Sequence, residues 1–185
     1  MGAFTLSRLF RIPRQFHGFY YENRIINRYN LIKTPTYTHP YDAQTTNGMP
    51  VQIKCVKLGS SINLGSYFNN KNRQEDFILH IGFWKTNRRN VIKEKTLHIT
   101  NRSWSSLFTL SQDDNVFTQF RSFSNSREDD QKFKEFLKST KIFGIKKPIR
   151  IRFKRDHKRQ RRVQCAIPYQ EFENYFLTNF KETSL

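Results

Sequence analysis

The sequence predicts an α/β or α+β fold in which a mixed central β-sheet is flanked by helices in a single domain, residues 1–185. Three observations support this prediction. The chain of 185 residues suits one hydrophobic core. An unbroken apolar run at residues 77–84 has the length of a buried strand. Segments with helical spacing of apolar residues alternate along the chain with segments of strand-like alternation, which favours helices and strands interleaved around one sheet.

The composition indicates a folded protein with a polyanionic partner. The 18 Phe and 8 Tyr residues supply large rings for a core, which a disordered basic tail lacks. A net charge of +18 makes a compact domain repel itself, and neutralisation by nucleic acid is the usual explanation. An anionic membrane is the alternative, but the positive charge falls largely on strand-like segments and no apolar run is long enough to span a bilayer.

The first half of the chain begins with a predicted helix at residues 15–31. An extended connector follows at 34–40, then a hairpin at 41–58 and a polar loop at 69–75. Asp76 is expected to act as a cap or turn residue. The helix is expected to bury the apolar residues that recur at roughly helical spacing, which are Phe16, Phe19, Tyr20, Ile26 and Tyr29.

The second half continues the sheet. Residues 77–84 are expected to form its central strand and residues 91–100 a neighbouring strand that buries Ile92, Leu97 and Ile99. A loop is predicted at 113–126, followed by a helix from Ser126 with a buried stripe of Phe133, Phe136 and Leu137. A second hairpin is predicted at 148–167. Pro168 then starts a final helix, whose inner face holds Phe172, Tyr175, Phe176 and Phe180.

The amino-terminal residues 1–15 are interpreted as a basic arm. Residues 1–21 contain no acid, so an organelle transit peptide is the alternative. The two cysteines, Cys55 and Cys165, lack CxxC pairing, and the five histidines lack zinc-ligand spacing. We therefore expect reduced core cysteines in an intracellular, cytoplasmic protein, with organelle import left open.

The first hairpin contains the most informative segment. Asn47-Gly48 is a strong turn signal, and a three-residue loop at 46–48 places Asp42 opposite Gln52. Strand alternation then puts Val51, Ile53 and Cys55 on the core face and Asp42, Gln52 and Lys54 together on the other face.

An acid, an amide oxygen and a lysine on one patch are suited to phosphodiester hydrolysis. A divalent cation can bind the scissile phosphate and lower the pKa of a water, and a positive group can stabilise the developing charge. Asp42 offers a charged ligand, Gln52 a neutral oxygen and Lys54 the positive group. The alternative is that Asp42 is a turn residue and that Gln52 and Lys54 belong to a solvated strand face.

Asp42 followed by Gln52-Ile53-Lys54 resembles the motif of the PD-(D/E)xK nuclease superfamily, and more narrowly that of type II restriction endonucleases that carry Gln in place of Glu. The resemblance implies a restriction-endonuclease-like fold, Mg²⁺ or Mn²⁺ as cofactor, and an additional acid on the preceding helix, for which Glu22 is the candidate. It implies metal ligation by Asp42, Gln52 and Glu22. A neutral Gln should weaken metal affinity or shift metal preference.

The basic region at residues 146–167, which consists of the second hairpin and the two lysines before it, alternates apolar and basic residues along its strands. Pairing Phe153 with Val163 and Ile151 with Cys165 gives one face to the arginines, and a two-stranded ribbon of this kind fits the DNA major groove. A solvated face would mix charges of both signs, whereas Asp156 is the only acid between Lys146 and Arg162. The predicted nucleic-acid contacts are Arg150, Arg152, Lys154, Lys158, Arg159, Arg161 and Arg162.

The sequence therefore predicts a metal-dependent endonuclease of duplex DNA that cuts at specific sequences, with DNA as partner and no membrane. A homodimer is an open alternative. The rival functions are a non-catalytic nucleic-acid-binding protein, such as an organellar ribosomal or architectural component, and an inactive nuclease fold retained for binding.

Overall fold

The computed structural model describes residues 14–35, 40–86, 90–108, 132, 148–155 and 161–185, with the backbone alone described at 14–17, 152–155 and 161–162. The predicted arm, the loop at 113–126, the helix from Ser126 and the tip of the second hairpin lie almost wholly outside these residues. In chain order the described elements are α1 (Arg14–Arg28), β1 (Ile32–Lys33), β2 (Ala43–Gln44), β3 (Pro50–Lys57), β4 (Ile62–Ser66), α2 (Tyr67–Lys71), β5 (Phe77–Trp84), β6 (Val91–Ile99), α3 (Asn101–Ser106), β7 (Arg150–Arg155), β8 (Arg161–Ile167), α4 (residues 169–179) and β9 (Lys181–Glu182).

Helix α4 consists of three successive segments. It begins at Tyr169–Glu171, continues as a π-helical turn over Phe172–Phe176 and ends at Leu177–Asn179. Pro168 occupies its amino-terminal cap position, so the predicted start is confirmed. The π-helical turn lies where Phe172 and Phe176 are both fully buried.

The nine described strands form two sheets. A six-stranded sheet has the order β1-β2-β3-β5-β6-β9, and a three-stranded sheet has the order β4-β8-β7. Within the larger sheet β3 and β5 run parallel and the other neighbours run antiparallel. The mixed sheet and the central place of Phe77–Trp84 are confirmed. The prediction of one sheet is wrong, because the second hairpin pairs with β4 to form a sheet of its own.

Helix α1 covers one face of the six-stranded sheet. Tyr21, Ile25 and Ile26 are buried there against Val51 and Ile53. The predicted buried stripe is wrong at Phe19 and Tyr20, which are exposed. The helix is rotated so that Tyr21 points inward, where its hydroxyl reaches polar partners on the sheet.

The opposite face of the sheet carries the larger core. Alternate residues of β5 point into it, beginning with Phe77 and ending with Phe83, and β4, β8 and α4 supply its other side. Trp104 packs edge-on against Phe77 with ring centroids 5.1 Å apart. Cys165 is buried in this core as predicted. Both faces of the six-stranded sheet therefore pack against other elements.

Two further predictions are corrected by the fold. The polar loop predicted at 69–75 begins inside α2, where Ser66 caps the helix by accepting a hydrogen bond from the Asn69 amide. Ile92 is more than half exposed, because only the later part of β6, with Leu97 and Ile99, lies over the core. Asp76 accepts a hydrogen bond from the Asn101 amide at 2.7 Å, in agreement with the predicted capping role.

Over the described residues, no helix combines the length and apolar character needed to cross a membrane.

Candidate functional site at the first hairpin

The turn of the first hairpin sets the register of the site. The Thr45 amide donates to the Met49 carbonyl and the Gly48 amide donates to the Thr45 carbonyl, both at 2.9 Å. Gly48 has a φ of +85°, a left-handed conformation that glycine adopts without a steric penalty. Residues 46–48 therefore form the predicted three-residue loop. Ala43 pairs with Val51, and the next residue outward on each strand brings Asp42 beside Gln52.

Asp42 is the centre of the cluster. Its Oδ2 accepts hydrogen bonds from the side-chain amide of Gln52 at 2.6 Å, from the backbone amide of Ile53 at 2.7 Å, and from the Lys54 ammonium at 3.3 Å. The predicted convergence of Asp42, Gln52 and Lys54 is thus present. The alternative of a solvated strand face is wrong for Gln52, whose side chain is buried at 6% exposure.

Lys54 and Glu22 meet at an open cleft beside the hairpin. The cleft has a volume of about 370 Å³, and its wall includes Glu22 from α1 and Ile53, Lys54 and Cys55 from β3. The Lys54 and Asp42 side chains keep 24% and 22% of their surface exposed. Lys54 thus borders the cleft and is joined to Asp42 by their ion pair, while the strand backbone that positions Lys54 is held in the sheet.

The two acids of the site affect one another electrostatically. Burial raises the pKa of Glu22, and the negative charge of Asp42 raises it further, against the opposing effect of Lys33 and Lys54. Glu22 thus lies within the field of Asp42 and Lys54, as expected for the additional acid on the preceding helix. A divalent cation between two carboxylates relieves such repulsion.

Mg²⁺ is commonly bound through one or two carboxylates while keeping several waters and contacting substrate phosphate. Asp42 and Glu22 fit this pattern as hard oxygen donors. Across the described residues no group of three or more His, Cys, Asp or Glu side chains is placed to hold a metal ion, so an ion at this site would depend on two carboxylates, water and substrate. The Gln52 amide oxygen is engaged elsewhere, since it accepts from Arg73 Nη2 at 2.6 Å.

Arg73 is the residue that the sequence did not predict. It follows α2 and is buried at 6% exposure, with its guanidinium carbon 4.6 Å from the Tyr41 ring centroid and 4.4 Å from that of Phe77. The sequence carries no specific signal for it, because the segment around Arg73, residues 69–76, is polar throughout.

The second hairpin has the predicted register. Phe153 pairs with Val163 and Ile151 with Cys165, and Val163 and Cys165 are buried. Arg150 is exposed on the same hairpin. Arg152, Lys154, Arg161 and Arg162 lie on the two strands by their backbone, whereas Lys158 and Arg159 lie outside the described residues. Contact of DNA with the basic residues of this hairpin stays a prediction.

Comparison with known proteins adds no family to this picture: no protein-family model matches the chain, and no curated protein matches it either.

Proposed function

We propose that this protein is a metal-dependent endonuclease that hydrolyses phosphodiester bonds of duplex DNA, with its site at the first hairpin. The observation that carries the proposal is the convergence of the Gln52 amide and the Lys54 ammonium on one oxygen of Asp42, beside a cleft that Glu22 also lines. The proposed reaction, phosphodiester hydrolysis, is the one implied by the resemblance of Asp42, Gln52 and Lys54 to the motif of PD-(D/E)xK nucleases.

Each residue has a distinct role in this proposal. Asp42 and Glu22 hold the divalent ion, which when bound supplies a Lewis acid for the phosphate and a more acidic water. Lys54 faces the cleft and supplies positive charge to the attacking water or to the charge that develops on phosphate. Its ion pair with Asp42, at 3.3 Å, keeps the ammonium in place before substrate arrives.

The second hairpin supplies the DNA-binding surface in this proposal. Its exposed Arg150 stands at the start of an alternating basic strand, and several phosphates neutralised by such a ribbon release counterions on binding. Sequence-specific cutting requires contacts to base edges in addition to phosphate contacts.

A second candidate is an inactive nuclease fold that binds nucleic acid without cutting it. The observation that favours it is the engagement of the Gln52 oxygen by Arg73, together with the three donors already bound to Asp42 Oδ2. Because Gln52 Oε1 and Asp42 Oδ2 already accept internal hydrogen bonds, they are less available to bind a cation than unengaged amide and carboxylate oxygens would be.

A cleavage assay separates the two candidates. Purified wild type is incubated with supercoiled plasmid and with linear duplexes of varied sequence, in Mg²⁺, in Mn²⁺ and in EDTA. Asp42→Asn is the test variant. Asp76→Asn is the matched control, because Asp76 is an exposed acid that accepts one backbone hydrogen bond.

The nuclease proposal expects metal-dependent cutting by wild type and by Asp76→Asn, and none by Asp42→Asn. DNA affinity should persist or increase in Asp42→Asn, since a negative charge near phosphate is removed. If wild type binds duplex DNA and cuts no sequence with either metal, the enzyme proposal is rejected and the binding function takes its place.

A further inference from the structure

The buried guanidinium of Arg73 forms the inner end of a chain of contacts that reaches the proposed metal site. Arg73 Nη2 donates to Gln52 Oε1 at 2.6 Å, and Gln52 Nε2 donates to Asp42 Oδ2 at 2.6 Å. The same Nη2 also donates to the Pro40 carbonyl at 3.2 Å, two residues before Asp42. Arg73 therefore touches both the side chain that bonds Asp42 and the backbone that leads into it.

The side chain between Arg73 and Asp42 has to satisfy two opposite requirements. A guanidinium can only donate hydrogen bonds, and an ionised carboxylate can only accept them. A primary amide offers an acceptor at one end and donors at the other, so Gln52 can link the two. A glutamate at position 52 could accept from Arg73 but would turn an acceptor oxygen towards Asp42 across a contact that is now 2.6 Å long.

We propose that Arg73 is a positioning residue of the nuclease site, which fixes the Gln52 amide so that its NH₂ group orients Asp42, and that Gln52 acts as this link and not as a metal ligand. The inference rests on the proposed function for its catalytic consequence. It accounts for a neutral Gln where the resembled motif carries Glu, because a carboxylate at position 52 could accept from Arg73 but could not donate to Asp42.

The surroundings of Arg73 restrict it to this arrangement. Its guanidinium carbon lies 4.4 Å from the Phe77 ring centroid, 4.6 Å from that of Tyr41 and 5.8 Å from that of Trp104. Such contacts with ring faces partly compensate a buried cation for its reduced hydration. Arg73 Nε and Nη1 have no hydrogen-bond partner in the described structure, and within that part of the chain Arg73 forms no salt bridge. Gln52 and Pro40 accept the hydrogen bonds of Nη2.

The test follows the Gln52 amide itself. In ¹⁵N-labelled protein, solvent exchange of the Gln52 Nε2 hydrogens is measured for wild type, Arg73→Met, Arg73→Lys and Trp104→Phe. Trp104→Phe is the matched control: it removes the Trp104 Nε1 bond to the Asn70 carbonyl, but it keeps an aromatic ring beside Arg73 and changes neither partner of the Arg73–Gln52 hydrogen bond. Single-turnover cleavage and DNA affinity are measured on the same samples.

Arg73→Met should accelerate Gln52 side-chain exchange by about 10-fold or more, the equivalent of removing one hydrogen bond. Arg73→Lys, which keeps the charge and a donor, should restore part of the protection. The single-turnover rate should fall on the order of 100-fold in Arg73→Met through misplacement of Asp42, with unchanged DNA affinity. Trp104→Phe should lower the stability of the protein without faster Gln52 exchange and without a slower single-turnover rate.

Equal Gln52 exchange in Arg73→Met and Trp104→Phe would overturn the proposal. If Arg73→Met does not fold, Arg73→Lys is compared with Trp104→Phe instead. Faster exchange of the Gln52 Nε2 hydrogens in Arg73→Lys would support the proposal, and equal exchange would refute it. If wild type cuts no DNA, the proposed function fails on that result alone, and the exchange data still decide whether Arg73 positions Gln52.

Discussion

Two polar clusters are embedded in the same central sheet, and they differ in their surroundings: one includes a residue that lines a cleft, and the other joins a helix to the sheet. One is the hairpin cluster of Asp42, Gln52, Lys54 and Arg73. The other, the helix–sheet network, joins Tyr21 of α1 to residues of β5 and β6. Its members are His80, Thr96 and Glu94, with Arg24 and Arg28 at its outer end.

A single assignment of hydrogen-bond donors and acceptors fits the contacts from Glu94 through Tyr21 and His80 to Thr96. Tyr21 donates to Glu94 Oε1 at 3.1 Å, so its oxygen accepts from His80 Nε2 at 2.9 Å. His80 Nδ1 then accepts from the Thr96 hydroxyl at 2.8 Å. The charge of Glu94 is met by Arg28 at 2.8 Å. Burial lowers the pKa of His80 to about 4, which keeps the imidazole neutral in this chain of bonds.

The comparison separates a structural polar cluster from a candidate functional one. In the helix–sheet network the inner groups are buried and partnered, so the network fixes how α1 sits on the sheet. In the hairpin cluster, Lys54 lines a cleft together with Glu22. Over the described residues, two nitrogens of the buried Arg73 have no hydrogen-bond partner, against one, Arg24 Nε, in the helix–sheet network. Groups held rigidly on one side and open to ligands on the other are what a binding or catalytic site requires.

Lys54→Met should give the largest effect on function. Removing the ammonium should slow metal-dependent cleavage by on the order of 100- to 1,000-fold, because positive charge is removed where negative charge develops. Metal binding should change little, since the amine is not a ligand. Lys57→Met, at the exposed end of the same strand, is the control. Single-turnover cleavage measures both variants, and equal rates would remove Lys54 from the mechanism.

Gly82→Ala should give the largest effect on stability, and it acts on the other cluster. A Cβ at Gly82 would lie 2.3 Å from Cζ of Tyr21, so Tyr21 or the helix must move and the network must break. We expect a loss of about 1–3 kcal/mol in the free energy of unfolding, measured by urea denaturation. Gly18→Ala meets no atom within 4 Å and should not destabilise α1. An unchanged midpoint for Gly82→Ala would contradict the packing of Tyr21 on β5.

The helix–sheet network should also give the protein a dependence of stability on pH. The folded pKa of His80 is about 4, below the ordinary value of about 6.5. Between these values the unfolded chain binds a proton that the folded protein excludes, so stability falls as pH falls from about 6.5 towards 4. The loss can reach about 3 kcal/mol by linkage. It should be absent in His80→Gln and present in His98→Gln, and a flat wild-type profile would show that His80 is not held neutral.

The smallest expected change concerns the salt dependence of DNA binding. Arg150→Ala with Arg152→Ala should weaken binding to all duplexes similarly. It should also reduce the slope of log K against log salt by roughly 1 for each phosphate that the protein no longer neutralises. Arg102→Ala, an exposed arginine on α3, is the control. An unaltered slope in the double variant would place the DNA-binding surface elsewhere.

The first hairpin was predictable from the sequence because its turn and its strand register depend on residues close together in the chain. Asn47-Gly48 fixes the turn, the turn fixes the register, and the register places Asp42 beside Gln52. The apolar run of β5 was equally clear, and the alternation of the second hairpin predicted the pairing of Phe153 with Val163.

What the sequence did not predict depends on contacts between distant segments. The rotation of α1 is set by the bonds of Tyr21 to His80 and Glu94, which lie 59 and 73 residues away, so spacing alone assigned Phe19 and Tyr20 to the wrong face. Arg73 lies 21 residues from Gln52 in a segment that is polar throughout. A buried cation in such a segment cannot be distinguished from an exposed one until the aromatic residues around it are known.

The most direct test of the hairpin cluster as the metal site is a titration of ¹⁵N-labelled protein with Mn²⁺, followed through the backbone amide signals. We expect the earliest paramagnetic broadening at Asp42, Ile53 and Glu22, competition by Mg²⁺, and loss of this broadening in Asp42→Asn. Broadening centred elsewhere, or the same broadening at Ile53 in Asp42→Asn as in wild type, would contradict the assignment of the metal site to the hairpin.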